Sequence, residues 1–157
     1  MDKRKKDKRY QRLFIQIEAL LPKGNTPISA MSSIAAILYH KMDNFFWCGF
    51  YLLEDGKLNV GPYQGPVACQ ELEKNKGVCW AGINEAKTIV VPDVELFPGH
   101  IACDSRSKSE IVVPLFDADQ NVIGVLDVDS KELNSFDEVD AEYLEKILDL
   151  IHKKHKS

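Results

Sequence analysis

Apolar positions along the chain fall into a few stretches of helical period and several shorter runs of strand type. Tyr10, Leu13, Phe14, Ile17, Leu20 and Leu21 share one face of a helix, which Pro22 and Gly24 end. Thr26 followed by Pro27 has the form of a helix start, an N-cap before proline at the first position. Ile28, Met31, Ile34, Ala35, Leu38 and Met42 then mark an apolar stripe. Phe45 to Glu54 is rich in aromatic residues and reads as a strand. Asp55-Gly56 is a two-residue hairpin turn, and Lys57 to Tyr63 is the returning arm. After the break at Gln64-Gly65-Pro66, Gly77 to Lys87 reads as a short helix and Thr88 to Val91 as a short strand. Pro92 to Ser109 is a long loop, a length that in compact domains usually carries function or disorder. Glu110 to Phe116 and Val122 to Val128 form a second hairpin around Asp117–Asn121. Ser135-Phe136-Asp137-Glu138 has the spacing of a capping box and opens a last helix lined by Tyr143, Leu144, Ile147, Leu148 and Ile151.

This order predicts an α+β fold. A mostly antiparallel sheet carries the terminal helices on one face, and the 64–109 segment closes the other. The length of 157 residues corresponds to one domain. We divide it into a basic arm over residues 1–9, a body over 10–152 and a basic tail over 153–157.

Charge sharpens that division. Lys3, Arg4, Lys5, Lys6, Lys8 and Arg9 against Asp2 and Asp7 give +4 in the first nine residues, within a total of −4. The remainder holds 14 basic and 22 acidic residues, or −8. A nucleic-acid binder needs a basic face on its folded body, so the acidic body argues against that class, and the arm reads as a solvated helix start. The longest nearly unbroken apolar run, Phe45 to Leu53, is nine residues, far short of a membrane span. The charged N-terminus predicts no signal peptide, hence a cytoplasmic setting in which thiols stay reduced.

In that setting Cys48, Cys69, Cys79 and Cys103 are packing residues, metal ligands or reactive thiols. Their spacing matches no zinc finger or ribbon. Cys48, inside the first long strand, reads as packing. Cys103 is the most suggestive thiol: it lies in the polar loop before Arg106 and Lys108, and cations lower a thiol pKa. Asp127 and Asp129 are two apart in a strand and so share a face. With Glu110 they are carboxylates set among apolar residues, where desolvation needs a reason. Such a group can bind a metal, bind an ammonium or supply a proton. No glycine-rich phosphate loop accompanies them. Trp47 and Tyr51 share a strand face, as core packing or as an apolar wall.

Several runs together resemble a known family. These are Phe46-Trp47-Cys48-Gly49-Phe50-Tyr51, Gly61-Pro62-Tyr63-Gln64-Gly65 with Ala68-Cys69, and Gly77-Val78-Cys79. Phe97-Pro98-Gly99-His100-Ile101-Ala102-Cys103-Asp104, Ser109-Glu110-Ile111-Val112-Val113-Pro114-Leu115 and Ile123-Gly124-Val125-Leu126-Asp127-Val128-Asp129-Ser130 complete the set. From about residue 10 to residue 150 the chain resembles the free methionine-(R)-sulfoxide reductases built on a GAF domain. One departure is Trp80-Ala81-Gly82 after Cys79, where the family has Gly-Thr-Ala, and a bulky Trp80 there bears on the lid helix.

The resemblance implies a central antiparallel sheet of about six strands with the pocket opposite the terminal helices. It also implies a lid carrying the cysteines, thioredoxin as reductant and, in many members, a homodimer. Cys103 is then the candidate nucleophile and Cys69 the resolving thiol. Cys79 is an alternative resolver or a relay, and the inverse assignment, Cys79 attacking and Cys103 resolving, stays open. Glu110, Asp127 and Asp129 would hold the ammonium of the free amino acid, with Trp47 and Tyr51 at its methyl end. Electrons come from thiols, so no metal and no organic cofactor is implied, nor any nucleic-acid or membrane partner. The alternative function is a non-catalytic GAF domain that senses a small molecule.

Overall fold

A computed structural model describes residues 2–24, 26–100 and 103–153, so Ile101, Ala102 and all but the first residue of the basic tail lie outside the described residues. Helix α1 spans Lys3–Leu20 and leads through a single 3-10 turn, Leu21–Lys23, to α2, Pro27–Lys41. Thr26 caps α2, its hydroxyl accepting from the Ser29 amide at 3.1 Å. Strands β1, Trp47–Glu54, and β2, Lys57–Gln64, form the first hairpin. Its turn works because Asp55 and Gly56 both take positive φ, 51° and 76°, which matches the twist of the flanking strands. A two-residue strand β3, Glu71–Leu72, is followed by α3, Gly77–Glu85, and β4, Ile89–Val91. After a 3-10 turn at Val94–Leu96 come β5, Ser109–Phe116, β6, Val122–Ser130, and α4, Glu138–Lys153.

The strands form one six-stranded sheet in the order β3-β2-β1-β6-β5-β4, with every pairing antiparallel. Period-two alternation divides its side chains. Cys48, Phe50, Ile111, Val113, Leu115, Leu126 and Val128 point to one face and pack against α1, α2 and α4 through Tyr10, Ile17, Ile34, Leu38, Leu144, Ile147 and Ile151. Each large side chain buried there contributes about 1.5–3 kcal/mol of apolar transfer. Trp47, Tyr51, Leu58, Val112 and Val125 point to the other face and meet α3 through Val78, Cys79 and Trp80. The expected placement of the terminal helices on one face and the 64–109 segment on the other is what the structure has. Among the described residues no helix is long and apolar enough to cross a membrane.

Two local expectations need correction. The capping box lies two residues later than the Ser135 spacing suggests. The Val139 amide donates to Asp137 at 3.0 Å and the Asp137 amide donates to Asp140 at 2.9 Å, while the Ser135 hydroxyl donates to Ser130 at 2.7 Å. The basic start of the chain is also not simply solvated. It is the first two turns of α1, opened by Asp2 accepting from the Lys5 amide at 2.9 Å. Lys6 is only 5% exposed and pairs with Asp140 at 2.7 Å and with Asp137 at 3.4 Å. The Tyr10 hydroxyl donates to the same Asp140. This buried network joins α1 to α4, and a helical period cannot announce it because its partner lies 134 residues away.

Candidate active site

Strand register assembles the floor of the pocket. Trp47 stands opposite Asp129, and Asp129 in turn opposite Glu110. Gly49 stands opposite Asp127, and Asp127 opposite Val112. Cross-strand neighbours on one face sit about 5 Å apart at Cβ, so three carboxyls and an indole are brought together with no loop involved. Glu110 and Asp127 are buried and Asp129 is half-buried. One oxygen of Asp127 has no hydrogen-bond partner among the described residues.

Burial first, and crowding second, makes this group basic. Burial and the neighbouring Asp129 push Glu110 up to about 8. Burial likewise pushes Asp127 well above the usual carboxylate range, with Glu110 as the second cause, and pushes Asp129 well up, with Asp127 as the second cause. Burial and like charge together favour the protonated form of this group, and a cation would favour the ionised one.

Aromatic side chains form one wall. Trp47 stacks between Tyr51, with centroids 5.7 Å apart, and Tyr63, at 5.2 Å. Tyr63 joins the wall because the hairpin register sets it opposite Gly49. A Cβ at position 49 would overlap Tyr63, so glycine is what allows the stack. The polar ends of both predicted aromatics hold the next loop. The Trp47 indole donates to the Pro66 carbonyl at 3.0 Å, and the Tyr51 hydroxyl donates to the Cys69 carbonyl at 3.3 Å.

The four cysteines separate by position. Cys69 and Cys103 are joined in a disulfide, with Cα atoms 5.7 Å apart, and Cys103 lies on the pocket lining. Cys103 is exposed and Cys69 half-buried, so the bond sits at the mouth. Cys79 is free and buried on α3, with its thiol pushed well up by burial and then by Asp127 and Glu110. Cys48 is free and buried on the opposite, helix-packed face of the sheet, as its packing role requires. Arg106, one of the two cations expected near the Cys103 thiol, has partners of its own in the disulfide form. Its guanidinium makes a two-point contact with Asp104 at 2.7 and 3.0 Å and lies 4.9 Å over the Phe46 ring. That contact holds Asp104 down at about 2.

Trp80 is buried within the core of this face and its indole donates to the Leu72 carbonyl at 3.2 Å, so it ties α3 to β3. All eight predicted site residues are brought to this side of the sheet, and seven of them, all but Cys69, line one cavity of about 60 Å³. Phe46, Lys76 and His100 line it as well. Phe46 could have been found from its place just before β1, but Lys76 and His100 sit in loops where spacing says nothing about direction. Cys79, Glu110 and Asp127 each present a donor atom within 4.8 Å of the others, the one such set among the described residues.

Residues 27–152 match the GAF domain family model. GAF domain-containing protein A of Dictyostelium discoideum is 50% identical over 96% of this chain and 95% of its own length. The free methionine-R-sulfoxide reductase of Saccharomyces cerevisiae is 38% identical over 94% of this chain and 86% of its own. The X-ray structure of free methionine-R-sulfoxide reductase from Neisseria meningitidis in complex with its substrate is 40% identical, covers 94% of this chain and 88% of that one, and superposes with a TM-score of 0.88. With the sheet order, the pocket opposite the terminal helices and the cysteine pair at its mouth, these likenesses place the chain in the GAF-domain free methionine-R-sulfoxide reductase family.

Proposed function

We propose that this protein reduces free methionine-(R)-sulfoxide to methionine with Cys103 as nucleophile, Cys69 as resolving thiol and thioredoxin as the source of electrons. The observation that carries the reading is the Cys69–Cys103 disulfide at the mouth of a pocket floored by Glu110, Asp127 and Asp129. A cycle of this kind would end with this pair oxidised.

The cycle starts from the two thiols. The Cys103 thiolate attacks the sulfoxide sulfur while the oxygen takes a proton, and oxygen passes to Cys103 as methionine leaves, giving a sulfenic acid. Glu110, at about 8, holds a proton at neutral pH and is the reading's proton donor. The Cys69 thiolate then attacks the Cys103 sulfur, and the hydroxyl leaves as water. One sulfoxide and two thiols become one sulfide, one disulfide and one water. A dithiol reductant restores the pair by exchange, which suits a cytoplasmic setting. The carboxyl group also explains the preference for a free amino acid. An ammonium supplies the positive charge the floor lacks, and a residue within a peptide has lost it to an amide. Trp47, stacked and fixed by Pro66, offers the flat wall against which the methyl group packs.

The test is an NADPH-coupled thioredoxin assay on free R-sulfoxide, free S-sulfoxide and a peptide containing methionine sulfoxide. The expected result is turnover of the free R form alone. Saturable binding of the free amino acid with no turnover of any sulfoxide would favour a sensing domain instead.

A further inference from the structure

Cys79 takes no step in the cycle above, yet it is buried against the carboxyl floor. The sulfur of Cys79, an oxygen of Glu110 and an oxygen of Asp127 all lie within 4.8 Å of one another. They come from α3, β5 and β6, so the arrangement is held by the packing of a helix on the sheet and not by a loop. A second observation points to a ligand. Asp127 is only 6% exposed, lines the cavity, and leaves one carboxyl oxygen without a partner among the described residues. That oxygen is a buried acceptor left open, and a cation is one way to fill it. Lys76 lines the same cavity but is paired with Glu73 at 3.1 Å.

We propose that Cys79, Glu110 and Asp127 form a site for one thiophilic divalent cation of the zinc class, with a fourth position open to water. The donor set decides the class. One sulfur and two carboxyl oxygens suit zinc, whereas calcium and magnesium ask for six or more oxygens. Zinc bonds of about 2.0–2.3 Å put tetrahedral donors roughly 3.5 Å apart, so the present separations close by about 1 Å on binding through side-chain rotation. The cavity of about 60 Å³ has room for such an ion and a water. Binding replaces the Cys79 S–H bond with a sulfur–metal bond, the proton passes to solvent, and no electron is transferred. The ion occupies the carboxyl floor in place of the substrate ammonium, so the two compete for Glu110 and Asp127, and it takes no part in thiol redox. The site stands on these three side chains, whatever the substrate of the pocket proves to be.

The disulfide form isolates the site, because Cys69 and Cys103 have no free thiol to offer in that state. Equilibrium dialysis of this form against zinc should find one ion per chain. Cadmium, used as a spectroscopic probe, should produce an ultraviolet cadmium–thiolate charge-transfer band. Cys79→Ser should abolish the band and weaken zinc binding by roughly tenfold or more, and Asp127→Asn should weaken it to a similar extent with far-ultraviolet circular dichroism unchanged. No bound zinc at roughly millimolar concentration overturns the proposal. So does a thiolate band that survives Cys79→Ser, which would put the ion elsewhere, or full affinity in Asp127→Asn.

Discussion

Replacing Glu110 with glutamine should stabilise the ligand-free protein at alkaline pH while it removes binding of the free amino acid. Glu110 is 6% exposed, and burial followed by the charge of Asp129 moves its carboxyl from 4.5 to about 8. Between those two values the folded chain keeps a proton that the unfolded chain has lost. Stability therefore falls as pH rises through this window, and the loss is complete above about 8. The whole interval corresponds to roughly 5 kcal/mol at 1.36 kcal/mol per pH unit. Water entering the cavity and relaxation of the neighbouring carboxyls absorb part of this, so we expect about 2–3 kcal/mol. Glutamine has no proton to lose, so its advantage over the parent should be near zero at about pH 5 and grow to that figure at about pH 9. For a chain of this size the growth amounts to about 5–10 °C in Tm. Thermal or urea unfolding of the disulfide form at both ends of the range reads it directly, and titration calorimetry with free methionine reads the lost binding. A stability difference that stays constant with pH would mean that Glu110 ionises like an exposed carboxyl. A difference that shrinks as pH rises would reverse the sign and refute the reasoning outright.

Three further outcomes test other parts of the structure. Cys103→Ser should abolish turnover of free methionine-(R)-sulfoxide and leave free methionine bound in calorimetry, whereas retained turnover would remove Cys103 as nucleophile. Asp140→Asn strips the charge partner from Lys6, which stays buried at 2.7 Å from that side chain, and should cost about 3 kcal/mol in urea unfolding. Gly49→Ala places a Cβ against Tyr63 and 2.8 Å from its Cα, so it should cost about 1–3 kcal/mol, alter near-ultraviolet circular dichroism through Trp47 and raise KM.

Much of the fold was legible in the chain because its signals are local. The Asp55-Gly56 turn, the Thr26-Pro27 helix start and the alternation in β5 and β6 each declare themselves within a few residues. Less legible were elements whose stability comes from elsewhere. The two-residue β3 exists because it pairs with β2 and because Trp80 donates to Leu72. The first turns of α1 carry no apolar stripe, and what anchors them is Lys6 against Asp140 on α4. The predicted cap at Ser135 moved to Asp137 because Ser135 found a better partner in Ser130.

The site divides in the same way. Residue type and strand parity by themselves determined that Asp127 and Asp129 share a face of their strand, that Trp47 and Tyr51 share a face of theirs, and that Cys48 differs from the other thiols. Parity is a property of the backbone, so it survives whatever the rest of the chain does. Only the tertiary structure decided that Glu110 stands opposite Asp129, that Cys69 and Cys103 meet across 34 residues while Cys79 stays free, and that Arg106 is held by Asp104. These depend on register between strands and on how loops pack over the sheet. Both are set by the sum of many weak contacts between residues distant in sequence, and no local pattern records that sum.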